Sequence, residues 1–106
     1  MIPLRLSAVA DIVGGVLEGD DVEVTGAAYV DSRDPVPGGL YVAIVGERVD
    51  GHDFADGAHA VLGSRLTAAP TVVVADPVAA LGLLARHVVE QLDATVHALT
   101  GSQGKT

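Results

Sequence analysis

Leu40-Tyr41-Val42-Ala43-Ile44-Val45 is an unbroken apolar, β-rich run, and it limits the fold more than any other stretch of the chain. A strand with one face in water alternates apolar and polar residues; a run without that alternation belongs in a sheet covered on both sides. Shorter strands are expected around it, at Val22-Glu23-Val24 on an edge, at 27–30, at Ala60-Val61-Leu62 and at Thr71-Val72-Val73-Val74. Between them the period changes. Val9, Ile12 and Val13 fall at helical spacing behind Ser7, a good N-cap, and Gly14-Gly15 suits the left-handed stop of that helix. Asp76-Pro77 is a helix start, and Leu81, Leu84, Ala85, Val88 and Leu92 keep helical spacing over 77–92. The pattern is α/β: a small mixed, partly parallel sheet with flanking helices.

Charge narrows the partners. Fourteen acidic residues against six basic ones give a formal charge of −8. Such a chain repels polyanions, whose binding rests on lysine and arginine neutralising phosphates, so no nucleic-acid partner is expected. An anionic small ligand must instead be held by a few local donors. With no cysteine, disulfide scaffolding and thiol catalysis are excluded. No stretch approaches the roughly 18–20 apolar residues of a membrane span, so no membrane insertion is expected and a cytoplasmic location is the default. His59, His87 and His97 lack the clustering of a zinc site.

The strongest chemical signal is Gly101-Ser102-Gln103-Gly104-Lys105-Thr106 after the apolar segment Ala94-Thr95-Val96-His97-Ala98-Leu99, read as a last strand. Glycines let backbone N–H groups converge on phosphate oxygens; the Lys105 ammonium then meets the β- and γ-phosphates, and the Thr106 hydroxyl ligates Mg²⁺. ATP and Mg²⁺ are the expected cofactors. Asp93 marks a shift in composition: 1–93 reads as one substrate-binding domain, and 94–106 as the first strand and phosphate loop of an ATPase domain. The competing reading of the glycine segment is a solvated polar tail. Phosphate binding by such a loop also uses the helix that begins at its lysine. A chain ending at Thr106 is therefore expected to bind ATP negligibly.

Thr100-Gly101-Ser102-Gln103-Gly104-Lys105-Thr106 resembles the T-G-[ST]-x-G-K-T of the Mur ligase family. Asp31-Ser32-Arg33, Pro37-Gly38-Gly39-Leu40-Tyr41-Val42-Ala43, and Gly46 followed by Asp50-Gly51-His52-Asp53-Phe54 are similar, in order and spacing, to motifs of that family's amino-terminal domain. The resemblance covers essentially the whole chain. It implies a domain that holds a UDP-N-acetylmuramoyl-peptide by its uridine diphosphate end, with Val30, Ser32, Glu47, Arg48 and Val49 at the positions that contact the nucleotide. A serine hydroxyl at a strand exit suits a uracil or phosphate oxygen, and the guanidinium forks of Arg33 and Arg48 suit a diphosphate. By the same resemblance Lys105 is catalytic, Gly101 to Thr106 bind ATP, and Thr106 holds the metal.

Ser102, rather than threonine, favours the branch that adds D-alanyl-D-alanine, itself bound by domains absent from this chain. The alternatives are the branch that adds the third amino acid, or a non-catalytic nucleotide-sugar binding module. Taken alone, the chain is expected to have no ligase activity. One departure from the pattern stands out: Phe54-Ala55-Asp56 runs almost directly into Gly57-Ala58-His59-Ala60, where the family carries a helix. One sheet face is therefore expected to be less covered, and a shortened crossover can force a different strand order. His52 is expected to be a structural loop histidine that bonds its neighbours.

Overall fold

A computed structural model of the chain describes the backbone over residues 3–100 and side chains over residues 3–91. The elements run β1 (Leu4–Arg5), α1 (Leu6–Val13), β2 (Val16–Glu18), β3 (Glu23–Val24), β4 (Ala28–Tyr29), β5 (Leu40–Val42), a 3₁₀ turn (Gly51–Phe54), β6 (Ala60–Gly63), β7 (Thr71–Val73) and α2 (Pro77–Thr100). Five strands form one sheet in the order β2-β7-β6-β5-β4, and β1 pairs with β3 in a separate two-stranded ribbon. The pairs β4–β5, β5–β6 and β6–β7 are parallel, while β2 closes the far edge antiparallel to β7. The mixed, partly parallel α/β sheet expected from the sequence is the one observed.

Leu40, Tyr41 and Val42 are all buried, as a strand covered on both faces requires, but the strand ends there: Ile44 and Val45, expected in the same buried run, lie exposed in the loop that follows. Period-two geometry divides them. Leu40 and Val42 join Ala60, Leu62 and Val72 in a core closed by Leu6, Val9 and Val13 of α1 and by Ala80 and Leu84 of α2. Tyr41 faces the other way, into a small cluster with Ala43, Ala55 and Val61. Both helices lie on the first face. The second is covered by loop residues such as Ala55 and Ala58. The short connection still allows parallel pairing: residues 43–59 span the dozen or so positions a crossover needs, and β5 and β6 are parallel neighbours.

Two further local expectations change. Ser7 does not cap α1; Arg5 holds that position in extended conformation without a side-chain cap bond. Because β1 leads straight into α1, the orphan donors are met from outside. The Ser7 N–H and hydroxyl donate to the Asp21 carboxylate at 2.9 and 2.8 Å, and the Leu6 N–H donates to the Val22 carbonyl at 2.8 Å. The two-residue β1 and the short β2 carry too little pattern to be read in advance. The strand expected at 94–99 is instead a continuation of α2, which runs unbroken through position 93. No glycine or proline stands between Gly82 and Gly101. A helix also satisfies its backbone within the segment, whereas a strand needs a neighbour. The expected start holds: Asp76 Oδ1 accepts from the Val78 and Ala79 N–H groups at 3.1 and 3.2 Å, with proline first in the helix.

Among the described residues no helix is long and apolar enough to cross a membrane.

Candidate functional site

Parallel strands place their exits at one edge of the sheet, where α/β proteins hold ligands. Here the exits of β4 and β5 lie side by side. Between them opens a cavity of about 480 Å³. Val30, Asp31, Ser32 and Arg33, which follow β4, form one wall. Tyr41 and Ile44 form the floor from β5 and its exit, and Val49, Gly51 and Phe54 form the opposite wall. The floor and the opposite wall are therefore largely apolar, with a half-exposed Phe54 (50%); the wall after β4 carries a carboxylate, a hydroxyl and a guanidinium.

The polar wall is shaped by a local turn. Asp31 Oδ1 accepts from the Arg33 N–H at 2.9 Å and from its Nε at 3.1 Å, while Oδ2 accepts from Nη2 at 3.2 Å. The Arg33 fork beside it holds the Asp31 carboxyl below its ordinary pKa, and the carboxylate raises that of Arg33 in return. The Arg33 side chain is 87% exposed, so the pair is loose and solvated and contributes little to stability. On the floor, the Tyr41 hydroxyl donates to the Gly51 carbonyl at 2.9 Å. Burial pushes its phenol above the ordinary range, with the Ser32 side chain opposing. Tyr41 thus stays neutral and able to donate.

The opposite wall is held from behind. Gly51 N–H donates to the Ile44 carbonyl at 2.8 Å, and Gly46 N–H to the Val49 carbonyl at 2.8 Å. His52, buried behind Gly51, meets Asp50 Oδ1 through Nδ1 at 2.6 Å, and Arg65 Nη2 donates to Asp50 Oδ2 at 2.9 Å. Hydrogen bonds from His52 and then Arg65 hold the Asp50 carboxyl far below the usual carboxylate range. A depressed folded-state pKa adds stability above the unfolded value, roughly 3.9, that is lost as pH falls through the folded value. Melting temperature should accordingly hold from pH 7 to about 5 and fall below about pH 4. Thermal melts of Asp50→Asn should show a flatter acid fall than the parent; equal slopes would mean other carboxylates carry it, Asp21 and Asp31 being the other lowered ones.

Of the residues expected at the nucleotide end, the structure gathers Val30, Ser32, Arg33 and Val49 around one cavity. Glu47 and Arg48 are exposed and not among the residues lining it. Gly101, Ser102, Gln103, Gly104, Lys105 and Thr106 lie outside the described residues. Tyr41, Ile44 and Phe54 line the cavity without having been singled out; Tyr41 and Ile44 sit in a run whose composition signals only burial. His52 bonds its neighbours as expected, and His59 Nε2 meets the Glu23 carbonyl at 2.6 Å. Among the described residues no three His, Cys, Asp or Glu side chains converge as a metal site would require.

No family model matches the chain. Individual proteins do. A UDP-N-acetylmuramoyl-tripeptide–D-alanyl-D-alanine ligase of Escherichia coli is 46% identical over 113 aligned residues, covering all of this chain and 25% of the relative. Its counterpart from Mycobacterium tuberculosis is 36% identical over 141, again across the whole chain and 28% of the relative. The chain belongs to the Mur ligase family. A crystal structure of MurF from Acinetobacter baumannii superposes with a TM-score of 0.69 at 27% identity, over 84% of this chain and 22% of that one. The fold is thus the Mur ligase fold, and the chain spans about a quarter of the length of the curated relatives it matches. A Mur ligase named for 2,6-diaminopimelate addition, from Bradyrhizobium diazoefficiens, is 40% identical over 80% of the chain and 19% of the relative.

Proposed function

We propose that this chain is the substrate-binding part of a ligase that joins D-alanyl-D-alanine to UDP-N-acetylmuramoyl-tripeptide in the cytoplasm, in peptidoglycan precursor synthesis. The observation that carries it is the divided cavity at the β4 and β5 exits. Its apolar side, with Ile44, Val49 and Phe54, suits the flat uracil ring. Its polar half offers the Ser32 hydroxyl and the Arg33 fork to the diphosphate. A diphosphate entering there exchanges with the Asp31 carboxylate for the same guanidinium, which an exposed pair permits at small cost. Glu47 and Arg48, exposed and adjacent in chain to Val49, are outside the cavity lining and have no assigned contact in this reading.

In this reading residues 94–106 open the ATP-binding unit. The backbone amides of Gly101, Ser102, Gln103 and Gly104 would cradle phosphate, Lys105 would offset charge on the transferring phosphoryl group, and Thr106 would hold Mg²⁺. ATP would pass its γ-phosphoryl group to the peptide carboxylate, leaving ADP, and the incoming amine would displace that phosphate and lose a proton to form the amide. The remaining catalytic groups belong to regions beyond this quarter-length stretch, so the chain alone is inactive as a ligase. The relative named for diaminopimelate addition supports a second reading, in which the whole protein adds the third amino acid. An assay of the full-length ligase with D-alanyl-D-alanine against diaminopimelate separates the two.

Calorimetric titration with UDP-N-acetylmuramoyl-tripeptide tests the site. Arg33→Ala is expected to weaken binding roughly 10- to 100-fold, as loss of a charge-assisted bond does, and Ser32→Ala by up to about tenfold. Binding that ignores both changes sinks the assignment.

A further inference from the structure

His52 is the one buried imidazole among the described residues, and its side chain is fully enclosed. Its two nitrogens have different partners. The Ser64 backbone N–H donates to Nε2 at 2.8 Å, so Nε2 carries no proton. The ring proton is therefore on Nδ1, which donates to Asp50 Oδ1 at 2.6 Å, and the same oxygen accepts the His52 backbone N–H at 2.9 Å. Arg65 holds the other Asp50 oxygen at 2.9 Å and reaches Asp53 at 3.3 Å. The chain makes room for this ring. A Cβ on Gly63 would lie 2.8 Å from Nε2 and 3.0 Å from the Cδ2 carbon.

The two residues tied by this ring belong to different parts of the molecule. Ser64 follows β6, the rigid centre of the sheet. His52 sits in the 3₁₀ turn between Gly51 and Phe54, both of which line the cavity. We infer that His52, in its neutral Nδ1–H form, is a positioning residue. It pins the turn to the end of β6 and so sets the cavity wall on which the uridine nucleotide rests. This rests on the cavity being the nucleotide site. Without the Nε2 acceptor the Ser64 N–H loses its partner, and the turn is left with Gly51's bonds to Ile44 and Tyr41 and with the exposed Arg65 bonds to Asp50 and Asp53.

Three measurements on the full chain test it. Long-range ¹H–¹⁵N spectra should show His52 with a protonated Nδ1 and a bare Nε2. Amide exchange at Ser64 and Gly51 should quicken about tenfold or more in His52→Leu, while Val61 and Val72 in the sheet change little. Affinity for uridine diphosphate should fall about tenfold in the same variant. His52→Gln, whose side-chain oxygen can replace the Nε2 acceptor, should recover part of both losses. Should His52→Leu fail to fold, Gly63→Ala keeps the imidazole but displaces it, and the same pattern is expected. A proton on Nε2, unchanged exchange at Ser64 and Gly51, or undiminished nucleotide affinity overturns the positioning role and leaves the site assignment standing. A parent chain that ignores uridine diphosphate while Ser64 stays protected overturns the site assignment, and the positioning role with it.

Discussion

Shortening Leu62 to alanine is expected to lower the free energy of unfolding by about 2–5 kcal/mol. Leu62 is fully buried and lies in β6 opposite Val42 of β5 and Val72 of β7. Its face is the one both helices cover, among Leu6, Val9 and Leu84. Three layers meet there, and side chains fixed by two helices and two flanking strands cannot all move in to fill a void. Val61, the next residue, is equally buried but faces Tyr41, Ala43 and Ala55. That cluster is roofed by loops, which relax at lower cost, so Val61→Ala should destabilise by clearly less. At about 4–8 °C per kcal/mol for a domain near this size, Leu62→Ala should lower Tm by roughly 8 °C or more. Thermal unfolding of the two variants side by side decides it. An equal fall for both would mean the loop-covered face is packed as rigidly as the helical one.

That asymmetry of faces was partly legible in the sequence. The apolar run without alternation told of burial on both sides for Leu40 to Ala43, but not that the chain turns outward at Ile44 and Val45, which are exposed. What could not be read was how the uncovered face closes, because Ala55 and Ala58 carry no pattern until a strand lies beneath them. The site followed the same division. Ser32 and Arg33 were legible as polar residues leaving a strand, and Val30 and Val49 by family resemblance. Tyr41 and Phe54 were not: an aromatic residue in or beside a β-rich run is usually core, and only the fold shows which rings border a cavity. The Ser7 cap failed for a related reason. Ser7 was read from its own neighbours, while its bonds go to Asp21, fourteen positions away. The apolar segment 94–99 suits a strand before a glycine loop, but its backbone takes the structure that needs no neighbour.

Gly51→Ala is expected to damage the site by moving its backbone, where a change in the polar wall removes only a side chain. A Cβ at Gly51 would lie 2.7 Å from the Ile44 nitrogen, 2.9 Å from its oxygen and 3.1 Å from the Tyr41 hydroxyl. Two of those atoms are backbone, so no side-chain rotation relieves the clash. The turn must move off β5, breaking the Gly51–Ile44 bond and the Tyr41–Gly51 bond together. Overpacking of this kind costs about 1–3 kcal/mol. The displaced residues line the cavity, so affinity for uridine diphosphate should fall roughly tenfold or more. Because Gly51 and His52 hold the same turn from opposite sides, the double variant with His52→Leu should lose less than the sum of the two single losses, as coupled neighbours do. Calorimetry on the parent, both single variants and the double variant measures this. Strictly additive losses would show that the turn is not one rigid wall, and an unchanged affinity in Gly51→Ala would remove Gly51 from the site altogether.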